Sequence, residues 1–239
     1  MKATMASILY FDNRRTVAVH FLLMPLANLL LLSALGSQLT QRSAWSIAAA
    51  SVLASGCLML VSSMAASFAC DRNYGIDREM LSLRKFCFYY WGCKVTVCTV
   101  AALALISVNL ILLAAAGCPW ALIWKSILST PQVLFSGIAV GFFCAIGAWG
   151  SSDPYRLSNF FISFGNVLSG SVVAFSAYPP LLKPFAAVFP LAHTLSALHG
   201  TPAQPAWDML CAVIWLLIGA ILYVVQARRI ASQSKFSTL

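Results

Sequence analysis

Apolar positions along this chain fall in long unbroken runs. They show neither the spaced stripe of a half-buried surface helix nor the alternation of a strand. Six runs reach the ~20 residues that a helix needs to cross a hydrocarbon core roughly 30 Å thick. They cover about 16–39, 44–69, 95–117, 126–150, 157–177 and 207–226. A lone segment in lipid must satisfy its own backbone hydrogen bonds, so each run is expected to be helical. The expected fold class is an all-α integral membrane protein with six transmembrane helices, forming one domain over residues 1–239. The first run is too long for the apolar region of a signal peptide, and five more follow, so it is expected to remain as a span.

The polar residues between the runs set the orientation. With the N-terminus in the cytoplasm, Arg42, Lys125 and Lys183 lie outside and the other twelve of 15 basic residues lie inside. Basic residues concentrate on the cytoplasmic side of membrane proteins, so both termini are expected there. Composition agrees with a lipid solvent: 61% of residues are hydrophobic and 9% charged, and the mean hydropathy is +0.86. The formal charge of +9 follows from the loop bias and suits anionic inner-leaflet lipid, so nucleic acid is not an expected partner.

Candidate chemistry is sparse. The spans hold almost no ionisable residues, which usually mark ion or proton paths. The acidic residues Asp12, Asp71, Asp77, Glu79, Asp153 and Asp208 sit at run ends or in loops. His193 and His199 lie six apart without a nearby carboxylate, and no paired-carboxylate, HExxH, GxSxG or phosphate-loop motif occurs. Leu168-Ser169-Gly170-Ser171 lies within an apolar run and is expected to pack or break a helix. The eight cysteines follow no metal or disulfide spacing and are expected to be reduced packing residues.

One loop stands apart. Residues 70–94 hold Asp71, Arg72, Asp77, Arg78, Glu79, Arg84, Lys85 and Lys94, followed or flanked by Phe86, Phe88, Tyr89, Tyr90 and Trp91. Ile76, Met80, Leu83 and Cys87 share one helical stripe, with Asp77, Arg78, Arg84 and Lys85 on the opposite face. Gly75 is placed to turn sharply into this helix. The aromatic run suits the headgroup layer. The expected element is an amphipathic helix between spans 2 and 3. Its mixed-sign charge favours a protein partner over lipid attraction alone, which would select Lys and Arg.

Asp71-Arg72-Asn73-Tyr74-Gly75-Ile76, followed by Met80-Leu81-Ser82 and by Gly92-Cys93-Lys94, resembles the loop after the second span of type-2 ABC transporter permeases. The chain carries Asp71 where that family usually has Glu, and Ile76 where it has Thr. Further on, Ser169-Gly170, Tyr178-Pro179-Pro180, Pro184 and the segment from Phe189 to Leu198 resemble the family's outer segment between its last two spans, with His199 at an Arg position. The resemblance implies that the loop helix is a coupling helix seated in an ATPase subunit. Its residues would be Asp71, Gly75, Ile76, Asp77, Arg78, Glu79, Met80, Leu81, Arg84 and Lys85. It also implies that Pro179, Pro180, Pro184, Pro190 and Leu191 belong to a re-entrant outer hairpin between spans 5 and 6. Independently, prolines spaced through so apolar a stretch break any single helix.

On this resemblance the chain has no catalytic residue, metal or cofactor of its own. ATP and Mg²⁺ belong to separate ABC ATPase subunits, and a second copy or a homologous permease completes the pathway in a prokaryotic cytoplasmic membrane. The uncharged spans favour a hydrophobic or amphipathic cargo, such as a drug-like molecule, lipid or peptide. Asn28, Asn109, Asn159 and Asn166 are candidate pathway-lining residues, with bonding to neighbouring helices the alternative. Gly137 and Gly141 form a GxxxG that permits close helix approach within or between chains. A second class of function is open at this point: a membrane scaffold or sensor that docks a soluble partner through the same loop.

Overall fold

The computed structural model describes residues 44–76, 86–149 and 151–236, with Val19, Ala27 and Glu79 as isolated positions. The rest of the first predicted span, Asn28 included, and the loop residues Asp77, Arg78, Met80, Leu81, Arg84 and Lys85 lie outside the described residues. Helices α1 (Ala44–Asn73), α2 (Phe88–Ala115), α3 (Trp120–Gly147) and α4 (Arg156–Leu168) come first. A 3₁₀ turn at Phe175–Ala177, two short helices α5 (Lys183–Val188) and α6 (Ala192–Leu198), and the long α7 (Pro205–Phe236) follow. Four of these, α1, α2, α3 and α7, are long and apolar enough to cross a membrane. No strand occurs among the described residues.

Helix α1 is the axis of the bundle. It packs against α2, α3, α4 and α6, and Ile47, Leu53, Leu60 and Met64 along its length are essentially inaccessible. A helix apolar all round belongs in the interior, and the many Ala, Ser and Gly residues of α1 let its neighbours approach closely. The GxxxG of α3 supplies the other half of that seam. A side chain at Gly137 would meet the Cys57 carbonyl at 3.2 Å, and one at Gly141 would meet Met64 Sδ at 3.0 Å. Both glycines are therefore used inside the chain. Gly56 of α1 does the same for α2, lying where a methyl would overlap Ile106.

The α2–α3 turn is legible bond by bond. Gly117 adopts φ +94, its N–H donates to Ala114 O at 3.1 Å, and the Cys118 N–H donates to Leu113 O at 3.0 Å. This pair of bonds satisfies the last carbonyls of α2 through a left-handed glycine. Pro119, at the N-cap of α3, cannot continue the preceding helix.

Two expectations are corrected. The run 157–177 is not one spanning helix: α4 ends at Leu168 after 13 residues, about 20 Å at 1.5 Å per residue and short of the hydrocarbon thickness. The cause lies at Ser169–Ser171, where Gly170 turns the chain with φ +78. The third helix also begins earlier than 95, at Phe88, which places Lys94 inside a helix and not in a loop. The predicted runs 44–69, 126–150 and 207–226 correspond to α1, α3 and α7 with shifted ends.

Candidate functional site

Two regions at opposite ends of α1 carry the polar chemistry. At its C-terminal end, Asp71 and Lys94 form a buried ion pair, Nζ to Oδ2 at 2.7 Å. Lys94 is 2% exposed. Its ammonium also donates to Ser67 O at 2.8 Å and lies over the Tyr90 ring, 5.1 Å from the centroid. The Tyr90 hydroxyl donates to the same Asp71 oxygen. Arg72 Nη1 donates to the Ala148 carbonyl at 3.2 Å, which caps the end of α3. The C-terminus of α1 is thus bonded to the first turns of α2 and the last turn of α3. Cations at helix C-termini also answer the negative end of the helix dipole.

Around this cluster the aromatic side chains exclude solvent. Phe68 stacks on Trp91 with centroids 5.7 Å apart and meets Trp149 edge-on at 5.2 Å, while Trp91 contacts Phe142 at 4.9 Å and Tyr223 at 5.8 Å. Desolvating two ions is unfavourable, and only close pairing with further hydrogen bonds offsets it. Removing one partner alone strands the other charge, at a cost of about 3–5 kcal/mol. The expected headgroup role of the aromatic run is therefore divided. Phe88 and Tyr89 are 82% and 79% exposed, while Trp91 is interior.

Beyond Asn73 the chain turns as expected. Gly75 has φ +70, and the Glu79 N–H donates back to Gly75 O at 3.2 Å, a helical spacing. Tyr74, Ile76 and Glu79 are exposed. Of the ten proposed coupling residues, Asp71, Gly75, Ile76 and Glu79 fall among the described ones. Asp71 faces inward to Lys94, while Ile76 and Glu79 face outward.

At the other end, residues 169–204 fold back into the bundle. Pro190 and Leu191 are buried, and Val188 O accepts from Trp215 Nε1 at 3.0 Å. Trp215 lies ten residues into α7, about 15 Å from its start. Pro179, Pro180 and Pro184 remain exposed. A broken backbone at such depth needs partners from neighbouring side chains, and the bundle supplies them. Trp207 Nε1 donates to Ala187 O at 2.9 Å, and Ser136 Oγ donates to Pro190 O at 2.7 Å. Asp208, 0% exposed, accepts from the Thr194 N–H at 2.6 Å, the Thr194 hydroxyl at 2.7 Å and the His193 N–H at 3.3 Å.

His199 ties this segment to the start of α1. Its Nε2 faces the carbonyls of Gly170 and Ser171 at 3.1 and 3.0 Å, so Nε2 carries the hydrogen. Nδ1 then accepts from the Ser46 hydroxyl at 3.2 Å. His193 packs instead on Phe175, with ring centroids 4.2 Å apart. The two histidines do not converge, and among the described residues no three His, Cys, Asp or Glu side chains group as metal ligands. Tyr178 also stabilises the break after α4, donating to Val167 O and accepting from the Gly170 N–H at 3.2 Å.

The asparagines separate. Asn109 is enclosed at 1% exposure and donates to Leu105 O at 2.8 Å within its own helix. Asn159 and Asn166 are exposed on α4, with Ser163 between them on one stripe and Phe160, Phe164 and Val167 alongside. Sequence reasoning missed the Asp71–Lys94 pair and the role of Asp208, although each charge beside an apolar run was itself a signal. All eight cysteines are free. Compared with family models, curated proteins and solved structures, the chain matches none.

Proposed function

We propose that this chain is the membrane subunit of an ABC-type exporter in a prokaryotic cytoplasmic membrane, with both termini inside and ATP hydrolysed by separate subunits. Of its six crossings, the fifth is made by the short α4 together with the broken segment that follows it. The observation that carries this reading is the opposed pair of polar structures on one bundle. At one end the α1–α2 turn is anchored by a buried ion pair and leads into a charged segment. At the other a re-entrant helix pair packs into the bundle, its carbonyls bonded by Ser136, Trp207 and Trp215. A coupling element beneath and a closure above are what a pathway driven from the cytoplasm requires.

The exposed stripe Asn159, Ser163 and Asn166 on α4 supports a second permease copy or a homologous one. Amides and hydroxyls facing lipid would lose their hydrogen bonds to water without replacement. In a paired assembly that face borders a shared cavity for a hydrophobic or amphipathic cargo, whose polar groups the amides would bind. The outward faces of α2 and α7, with Val100, Leu103, Ile111, Leu217 and Ile221, are mostly apolar and suit lipid, with Ser107 exposed midway along α2.

The test is reversal of charge at Arg78 and Arg84. The doubly substituted chain is expected to insert normally and to lose its co-purifying ATPase. If the unaltered chain, extracted in mild detergent, brings down no ATP-hydrolysing protein, the exporter reading falls.

A further inference from the structure

We propose that Lys94 and Tyr90 are positioning residues that clamp the end of α1 to the start of α2, so that the two helix ends move as one body. The proposal rests on the exporter reading for the source of the force, but the clamp itself is a property of this chain alone. Its basis is the convergence of three bonds on one buried point. Lys94 Nζ reaches Asp71 Oδ2 at 2.7 Å and Ser67 O at 2.8 Å, and the Tyr90 hydroxyl closes on the same carboxylate oxygen. Asp71 and Ser67 are four apart on α1, and Tyr90 and Lys94 are four apart on α2, so each helix presents two groups from successive turns. A single contact would act as a hinge. Bonds anchored one turn apart on each helix, at Ser67 and Asp71 and at Tyr90 and Lys94, brace that point against both sliding and rotation.

The neighbouring charges make the pairing selective. Arg72 is directed away, to Ala148 O of α3, and Glu79 lies exposed beyond the Gly75 turn. The aromatic packing of Phe68, Trp91 and Trp149 keeps water from competing for the ammonium and the carboxylate. A displacement applied at the Asn73–Gly75 turn therefore reaches α2 directly, and reaches α3 through Arg72.

The experiment compares Lys94→Gln and Tyr90→Phe with the unaltered full chain in lipid nanodiscs, by backbone hydrogen exchange. In Lys94→Gln, amides in 70–76 and 88–94 are expected to exchange on the order of tenfold faster or more, while those in 132–146 keep their protection. Tyr90→Phe, which retains the ion pair, is expected to give a smaller acceleration at the same amides. Unchanged exchange in Lys94→Gln overturns the clamp. If that variant loses protection throughout, Tyr90→Phe decides: local acceleration supports the clamp and none overturns it. A second arm adds the co-purifying ATPase with ATP and vanadate. In the unaltered complex the exchange of α1 and α2 should shift together; in Lys94→Gln, with the ATPase still bound, the α2 shift should disappear. Persistence of the joint shift overturns the transmitting role. A chain that binds no ATPase in any form sinks the exporter reading, while the first arm still decides the clamp.

Discussion

At Gly170 two constraints coincide. Its φ of +78 is a region L side chains seldom adopt, and an added Cβ would lie 2.7 Å from the Ala192 carbonyl oxygen. That neighbour is backbone and cannot rotate aside. Gly170→Ala is expected to cost about 2–3 kcal/mol, combining left-handed strain with displacement of α6. Gly75 has a similar φ of +70 but open space around it, so Gly75→Ala should cost only about 1 kcal/mol. Thermal unfolding in detergent checks both, and equal losses would argue against the close packing of Gly170 on α6. Asp208 offers a companion case. Asp208→Ala leaves the His193 and Thr194 N–H groups and the Thr194 hydroxyl without their acceptor. It is expected to cost about 2–3 kcal/mol and to raise hydrogen exchange at His193 and Thr194 before other sites.

Among elements, the α1–α3 seam depends on the absence of side chains at Gly137 and Gly141, where the helices meet through Cys57, Leu60 and Met64. Gly141→Leu is expected to separate them, lowering the yield of monodisperse protein and destabilising what remains by about 3 kcal/mol or more, since overpacking of a tight seam has no room to relax. Leu217→Ala on the exposed face of α7 should change stability by about 0.5 kcal/mol or less. A Gly141→Leu chain that kept its melting temperature and lost only self-association would show that the seam is not internal. The long helices were legible because run length alone meets the bilayer's demand, and Gly75 and the spaced prolines announced turns through their backbone chemistry. The end of α4 was legible only in part: Leu168–Ser171 is expected to pack or break a helix, and α4 does end there, but the run 157–177 still reads as one span. Val172, Val173, Ala174 and Phe175 continue the apolar run. The helix is stopped by the Gly170 turn, by the Tyr178 hydroxyl eight residues on and by His199 on the Gly170 and Ser171 carbonyls. Lys94 was assigned to a loop because a charge beside an apolar run usually marks the water boundary. Its partner, 23 residues upstream in sequence, is adjacent only after α1 and α2 pack.

For the whole molecule, sidedness decides whether the anchored turn stands where a cytoplasmic ATPase could reach it, and the native thiols can report it. Cys70, Cys87 and Cys93 are half-buried at the Asp71 end, whereas Cys57, Cys98 and Cys144 are sealed among the helices. A membrane-impermeant maleimide applied to intact cells is expected to leave the first three unlabelled, and to label them once the inner face is opened. Cys118, in the α2–α3 turn at the opposite end, is 4% exposed, and burial pushes its thiol up. A raised thiol pKa means less thiolate at any given pH, so Cys118 should react slowly from outside and continue to gain rate above about pH 8.5, the midpoint of an ordinary cysteine. Labelling of Cys70, Cys87 and Cys93 from outside intact cells would invert the bundle. The charged segment would then face away from any source of ATP, and the re-entrant helices would stand on the cytoplasmic side. The exporter reading would fail with its fold intact, because every helix contact described here is independent of which face the membrane turns inward.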